Sequence, residues 1–470
     1  MKILLINPPQ LNTISSCLPK ALEEGLDFLP PLGLMYLAGY LKKYSSHQTK
    51  IIDCQVEQLN YQDLEKRIIQ ENPDAIGITT MTFTLIDVIK TIQLIKKNNP
   101  EIKVILGGPH VNIYPKETID LKEVDFLVFG EGEEPLKELL DKLDKKEYPI
   151  NIKGIVFKKD NKIINNGQRD LIKNLDSIPS PARDLLPYKK YFSVISSNTP
   201  VTTMFTSRGC PFKCIFCDRP HLGKLFRARS AKNVVDEMEE CQKIGIKEIF
   251  IYDDTFGIDQ QRVLDICSEI QKRKLTIAWD VRTRVDTVNQ EIIRTMKESN
   301  CQRIHFGVEA GTEKILKILK KGITLEQIKK AFKIAKKEKL QVAGYFMIGS
   351  PNETKQDVLE TIKLIKKLNP DFVHISITTP FPATDLYRLG LENKILPYDY
   401  WQEFAQNPNP DFIPLPWEEN MTKKELFKLL KKGYQSFYFR PNYIIKRLIK
   451  LSSWKDFRIK ARAAFRLLKI

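Results

Sequence analysis

Val201-Thr-Thr-Met-Phe-Thr-Ser-Arg-Gly-Cys210-Pro-Phe-Lys-Cys214-Ile-Phe-Cys217-Asp218 opens as a β-branched strand and runs directly into three cysteines spaced C-x3-C-x2-C. A strand ending in such a loop lets three thiolates face one metal centre. Structural zinc normally takes four protein ligands, with a second pair supplied from a distance. The chain has no other Cys-x2-Cys and no His pair. An iron-sulfur cubane held by three cysteines leaves one iron open, and an open iron can bind a substrate or cofactor directly.

Working outward from that loop, strands are expected near 201–206, 247–252, 276–281, 302–308, 341–348 and 371–377, with a helical pattern after each of the first five. Six β/α repeats predict a partial barrel with its chemistry at the carboxyl ends of the strands. Upstream, strands at 3–6, 50–53, 75–79, 104–106 and 126–129 alternate with amphipathic stretches such as 34–43 and 85–97. This is the pattern of a doubly wound (Rossmann-like) α/β domain, whose ligands sit beyond the carboxyl ends of the strands. Those ends carry Asn7 and Pro8, Thr80, Gly107-Gly108-Pro109-His110 and Gly130-Glu131. The expected organisation is a first domain over 1–148, a linker with a hairpin over 149–199, the barrel over 200–420 and a helical extension over 421–470.

The 470 residues are 42% apolar and 28% charged, which excludes a collagenous or largely disordered chain. The net charge is +17, and residues 421–470 contribute most of it, with 15 basic and 2 acidic side chains. Aromatic residues interleave there with Lys and Arg, an arrangement that suits an anionic membrane surface, a nucleic-acid backbone or a charged helical cap, with nucleic acid the least favoured. No apolar run approaches the roughly 18–20 residues of a membrane span. Four apolar residues after Lys2 are too few for a signal peptide, so a cytoplasmic protein is expected, touching the inner face of the membrane at most through its tail. In that compartment the eight cysteines do not read as a disulfide framework. Cys241, Cys267 and Cys301 read as small buried side chains.

The cysteine spacing, with Phe216 before the last thiol, resembles the radical S-adenosylmethionine family. Asp253-Asp254 in Tyr252-Asp-Asp-Thr-Phe256, Glu309 in Gly307-Val-Glu-Ala-Gly311, and Gly349 and Pro351 in Gly349-Ser-Pro-Asn-Glu-Thr354 resemble its further motifs. The resemblance implies a 4Fe-4S cluster on Cys210, Cys214 and Cys217, reduced by an external donor of flavodoxin or ferredoxin type. It also implies that S-adenosylmethionine, bound at the open iron, is cleaved to methionine and a 5'-deoxyadenosyl radical. Phe216, Asp253, Asp254, Arg284, Glu309, Gly349 and Pro351 would border S-adenosylmethionine, with Arg284 on the methionine carboxylate and Glu309 on the ribose. Arg282 and Arg284 alternate with the apolar positions of the third barrel strand, so both point the same way, into the barrel on one reading. The rival readings are a capped loop for the two aspartates, an ion pair for Glu309, a surface salt bridge for Arg282, and loop shaping for Gly349 and Pro351.

A doubly wound domain ahead of such a barrel resembles the cobalamin-binding branch of the family, over essentially the whole chain. Asn7, Pro8, Thr80, Gly107, Gly108, His110, Gly130 and Glu131 would then border cobalamin. No Asp-x-His-x-x-Gly occurs, so the corrin is expected without a histidine below the cobalt, as in the methyltransferases and the anaerobic porphyrin-ring cyclase of this branch. The implied function is cobalamin-dependent methylation of an unactivated carbon, less often phosphorus, of a small or lipid-like molecule. The alternatives are a radical oxidative cyclase without methyl transfer and, outside catalysis, a cluster-bearing redox sensor or corrinoid carrier. Transfer RNA methylthiolation fits less well, because that group carries three further cluster cysteines and only Cys17 and Cys54 lie in this N-terminal domain.

Overall fold

The computed structural model describes residues 1–14, 27–160, 162–196, 198–218 and 223–449. Cys17, His221, Trp454 and the rest of the basic tail after residue 449 lie outside the described residues. Strands β1 (Lys2–Asn7), β2 (Gln48–Asp53), β3 (Ala75–Thr79), β4 (Lys103–Gly107) and β5 (Phe126–Val128) pair in parallel, in the order β2-β1-β3-β4-β5. Helices such as Leu32–Tyr44 and Leu85–Asn98 cover the sheet with apolar faces spaced for helical packing. The hairpin β6 (Ile155–Lys159) and β7 (Lys162–Asn165), expected in a linker, extends this sheet instead. β6 runs antiparallel to β5 with Phe126 opposite Phe157, giving seven strands in all. The free edge of β5 has main-chain groups to satisfy, and an adjacent hairpin supplies them.

The second sheet contains β8 (Val201–Met204), β11 (Glu248–Ile251), β12 (Ala278–Thr283), β13 (Cys301–Glu309), β14 (Gln341–Ile348) and β15 (Phe372–Ile377), all parallel and in sequence order. With β8 and β15 at opposite edges, this is a barrel left open. Between β8 and β11, the short ribbon β9 (Ser207–Arg208) and β10 (Arg227–Ala228) brackets the cysteine loop. Each of the helices 231–243, 260–272, 290–298, 325–337 and 355–368 begins at a capping side chain, Ser230, Asp259, Asn289, Thr324 or Thr354, which accepts from the backbone three residues on.

One apolar cluster crosses from domain to domain, joining Leu5, Met35 and Tyr36 to Tyr191, Val201 and Phe250. At the far edge, helix Lys423–Tyr438 lays Leu426, Leu429, Leu430 and Phe437 on the barrel. Its tyrosines reach the edge strand. The Tyr434 hydroxyl donates to the Ile375 carbonyl and accepts the Ile375 N–H, both at 3.0 Å. Tyr438 does the same with Val373 at 2.8 and 2.9 Å, and Tyr443 donates to the Asp371 carbonyl at 2.9 Å. This stretch of the extension is therefore a cap on the barrel. Among the described residues no helix is long and apolar enough to cross a membrane.

Candidate active site at the carboxyl ends of the barrel strands

The cysteine loop leaves β9 through Gly209, whose φ is +86° and whose Cβ, were there one, would stand 2.2 Å from the Leu225 carbonyl oxygen. Only glycine fits that turn. Cys214 is buried, Cys210 half-buried and Cys217 exposed. Burial pushes the Cys214 thiol up, against the opposing pull of Lys321 and Arg284. Coordination to a metal would stabilise the thiolate that burial disfavours and release the proton to solvent. Among the described residues, no three of His, Cys, Asp and Glu converge on a single metal ion. A cubane needs a different arrangement, with one thiolate to each ligated iron. Three soft donors on one loop, set between two cations, fit that group.

Asp253 and Arg284 have positions other than those expected of them. The buried Asp253 carboxylate accepts from Thr206 N and Oγ1 at 2.6 and 2.5 Å and from Ser207 N and Oγ at 3.0 and 2.6 Å. Its acceptor positions are filled by the chain itself, so Asp253 clasps the root of the cysteine loop and has none left for S-adenosylmethionine. Arg284 spends its fork on Asp286, at 2.9 Å twice, gives a further bond to the Lys321 carbonyl at 2.6 Å, and points Nη1 at Cys214 Sγ, 3.8 Å away. Its guanidinium lies 3.8 Å over the Phe212 ring. It therefore braces the loop rather than offering a free fork to the methionine carboxylate. Asp254, in contrast, is exposed beside this loop.

Glu309 sits at a register shift between β13 and β14 in the left-handed region, φ +73°, and pairs with the buried Lys321 at 2.7 Å. A Cβ on Gly307 would fall 2.7 Å from Glu309 Oε1 and 2.9 Å from Lys321 Nζ, so this glycine makes room for the pair. The ion-pair reading of Glu309 is the one realised. Lys321 also lies 5.8 Å over the Phe216 ring, which ties Phe216 to the same group. Gly349, φ +81°, packs against Leu426, and Pro351 is buried, as loop-shaping residues would be.

In the first domain, the Asn7 side chain bonds to Asp53 at 2.8 Å, and Pro8 and Thr80 are buried. Gly108, φ +108°, is pressed so closely on Thr80 that a Cβ would meet its backbone at 3.0–3.1 Å, and a Cβ on Gly107 would meet the Val128 carbonyl oxygen at 3.3 Å. His110 is wholly buried with Nδ1 on the Thr82 hydroxyl at 3.0 Å, and burial lowers its pKa to about 4. The ring's Nε2 has no hydrogen-bond partner among the described residues. Gly33 and Gly130 border open space, where a Cβ would touch nothing within 4 Å. Small residues and backbone around an open rim suit a wide, flat ligand.

Glu131, expected at cobalamin, faces the barrel instead. Its carboxylate takes Arg208 Nη1 at 2.8 Å, Arg227 Nη1 at 2.9 Å and the Ile172 N–H at 2.6 Å, while Glu133 takes Arg208 Nη2 at 2.5 Å. The loop after β5 is thereby locked to the ribbon that carries the cysteines. Sequence reasoning missed Lys321, Arg208 and Arg227; the only available signal was that Arg208 stands two residues before Cys210. A separate hollow of about 720 Å3, lined by Asp74, Lys103 and Asp125, lies at the amino ends of the first sheet, away from this chemistry.

A cobalamin-type α/β domain clamped over the cysteine loop of an open barrel defines a class of radical enzyme, and comparison with known proteins gives the same class. Residues 204–365 match the family described as the Radical SAM superfamily, and residues 24–140 match the B12 binding domain. The chain is 38% identical, over 95% of its length and 94% of the relative's, to an uncharacterized methyltransferase of Pyrococcus horikoshii. It is 28% identical, over 88% of its length and 75% of the relative's, to the anaerobic magnesium-protoporphyrin IX monomethyl ester cyclase of Rubrivivax gelatinosus. In fold it is similar to the cobalamin-dependent S-adenosylmethionine radical enzyme OxsB, solved with aqua-cobalamin and S-adenosylmethionine bound (TM-score 0.75, 18% identity, 99% of this chain and 72% of that one). The chain belongs to the cobalamin-binding radical SAM family, and its cofactors are a 4Fe-4S cluster, S-adenosylmethionine and cobalamin.

Proposed function

We propose that this enzyme methylates an unactivated carbon of a small molecule. The observation that carries the reading is similarity to a methyltransferase along nearly the whole chain, on a fold that locks the B12 domain onto the cysteine loop through Arg208. When bound, the cluster supplies an electron for cleavage of S-adenosylmethionine and cobalamin supplies a methyl carrier. The chain's own part is placement. Asp253 fixes the root of the loop, Arg284 braces Cys214, and Lys321 and Glu309 set charge beside it. Glu131 and Glu133 hold the two domains in one relation, so that both cofactors face a shared space.

An external one-electron donor of flavodoxin or ferredoxin type fits the exposed side of the loop, where Cys217 lies. The basic residues after 440 are proposed to touch an anionic membrane surface, because the apolar face of helix Lys423–Tyr438 is already occupied by the barrel. Sedimentation with anionic vesicles, with and without residues 440–470, tests this; equal sedimentation refutes it.

The central experiment supplies anaerobic enzyme, loaded with iron, sulfide and cobalamin, with methyl-labelled S-adenosylmethionine and cell extract. Formation of 5'-deoxyadenosine and S-adenosylhomocysteine together, with label in an extract metabolite, is expected, and Cys214→Ala should lose all three. The cyclase relative gives a second reading specific content: 5'-deoxyadenosine without S-adenosylhomocysteine or transferred label would replace methylation by oxidative cyclisation.

A further inference from the structure

The inner face of the barrel sheet carries a polar row that neither the cysteine loop nor the interdomain clamp uses. Asp280 and Arg282 on β12 stand opposite Arg303 and His305 on β13, and Tyr345 on β14 stands opposite His374 on β15. The intervening Val281, Ile304, Phe346 and Ile375 belong to the apolar core on the other face.

Asp280 Oδ2 lies 3.2 Å from both Arg303 Nη2 and His305 Nε2. A carboxylate paired with a guanidinium accepts only, so the His305 proton sits on Nε2 and the Nδ1 lone pair is free to accept. The Tyr345 hydroxyl stands 2.9 Å from Nδ1 and must be the donor. Burial lowers the His305 pKa despite Asp280, which keeps the ring neutral and this polarity fixed. The remaining lone pairs of the Tyr345 oxygen are left as acceptors on the half-exposed face, beside the exposed His374 ring 5.7 Å away.

Arg282 is the odd member of the row. Arg284, Arg303, Arg208 and Arg227 each hold a carboxylate. The half-buried Arg282 stacks 3.6 Å over Tyr252 and gives one bond, to the Ile251 carbonyl at 3.3 Å. Among the described residues no carboxylate stands within ion-pair distance of it; Asp27 is close enough to feel its charge and no closer. Of the two readings of Arg282, the surface salt bridge is absent among the described residues, and a fork with donors to spare remains on the inner face.

We infer that this face is the substrate subsite for a small molecule bearing an anionic group, carboxylate or phosphate, which Arg282 receives while the Tyr345 oxygen accepts a hydrogen bond from the same molecule. Asp280 and His305 are positioning residues that fix the direction of the Tyr345 hydroxyl. The inference rests on the radical-enzyme reading, which puts the reacting carbon over the barrel.

The test uses anaerobic, cluster-loaded full-length enzyme treated with phenylglyoxal, which adds to free guanidinium groups, with each arginine followed by peptide mass spectrometry. Arg282 should react faster than Arg284 and Arg303. Inorganic phosphate or acetate, at ionic strength matched with chloride, should slow it by roughly tenfold at saturation, and methylammonium chloride should not. Stronger protection by phosphate assigns a phosphoryl group, and stronger protection by acetate a carboxylate. Glycolate, which adds a hydroxyl donor to acetate, should protect better than acetate in the wild type and no better in Tyr345→Phe or His305→Ala, with melting temperature checked in both.

Equal Arg282 rates with and without the anions overturn the proposal. So does protection by S-adenosylmethionine alone, lost in Cys214→Ala, which would give Arg282 to the methionine carboxylate. A glycolate advantage that survives in His305→Ala removes the positioning role. Cleavage of S-adenosylmethionine is read on the same preparation: protection without cleavage refutes the radical reading alone, and cleavage without protection refutes the subsite alone.

Discussion

Arg208 Nη1 stands 2.8 Å from Glu131 Oε1, so the residue two positions before the first cluster cysteine is held by a loop of the other domain. Burial alone would raise the Glu131 carboxyl, but the guanidiniums of Arg227 and Arg208 outweigh it and hold it below the usual carboxylate range. Glu131→Gln keeps the shape and removes the carboxylate that Arg208 and Arg227 share, leaving Arg208 paired with Glu133 alone, at a cost of about 3 kcal/mol. The urea midpoint should fall, and methyl transfer should fall further than cleavage of S-adenosylmethionine, because the B12 domain loosens from the loop. An unchanged ratio of the two activities would show that the clamp does not couple them.

Asp253→Asn tests the clasp. An amide keeps its oxygen on the Thr206 and Ser207 N–H groups and turns its NH2 to their two hydroxyls, which must then accept instead of donate, and the charge assistance of all four bonds is lost. A loss of about 2–3 kcal/mol and a lower iron content after anaerobic reconstitution are expected. Full iron with weakened S-adenosylmethionine binding would restore Asp253 as a cofactor ligand.

Gly311→Ala should be among the costlier small changes. Its Cβ would stand 2.4 Å from Thr361 Cα and 2.7 Å from Thr361 N, both backbone atoms that cannot swing away. A penalty of about 2–3 kcal/mol is expected. Gly130→Ala, which meets nothing and only strains φ, should cost roughly 1 kcal/mol. Thermal melting of both variants orders them, and a reversed order contradicts the packing argument.

Glu353 makes stability depend on pH. Its buried carboxyl takes the Ser350 N–H on Oε2 at 2.8 Å, and Oε1 has no partner among the described residues. Burial pushes it up to about 7, against the pull of the Ser350 and Gly349 N–H groups. The folded protein thus holds this proton more tightly than the unfolded chain, whose Glu titrates near about 4.3. The stabilisation is complete below that unfolded value and disappears as pH rises through the folded one, roughly 3 kcal/mol in all. Urea midpoints should decline across this window, and Glu353→Gln should remove the decline; parallel profiles would contradict it.

The parallel strands of both sheets were legible because short apolar runs alternate with helical patterns at a regular spacing, whereas the hairpin's place on the edge of the first sheet was not. The cysteine loop was legible because spacing alone carries its chemistry. Glu131 was misread because its partners Arg208 and Arg227 lie 77 and 96 residues away, a separation that no local pattern reports. Asp253 and Arg284 were placed at strand ends, but the partners that hold them here were not legible, since sequence gives a side chain's position without saying whether the chain's own groups reach it first. Of the inner row only Arg282 was visible, through its alternation with Arg284 among the apolar positions of the third barrel strand.

Tyr434 and Tyr438 occupy the main-chain groups of Ile375 and Val373 on β15 that a seventh barrel strand would otherwise use, and Tyr443 takes the carbonyl of Asp371 just before it. Phenols cannot propagate a ladder, so the edge ends at side chains instead of inviting the edge strand of another molecule. A chain cut near residue 421 would expose that edge and should associate strand by strand, whereas a cut after 449 should leave it sheltered. Freedom from self-templating thus depends on helix Lys423–Tyr438 staying in place.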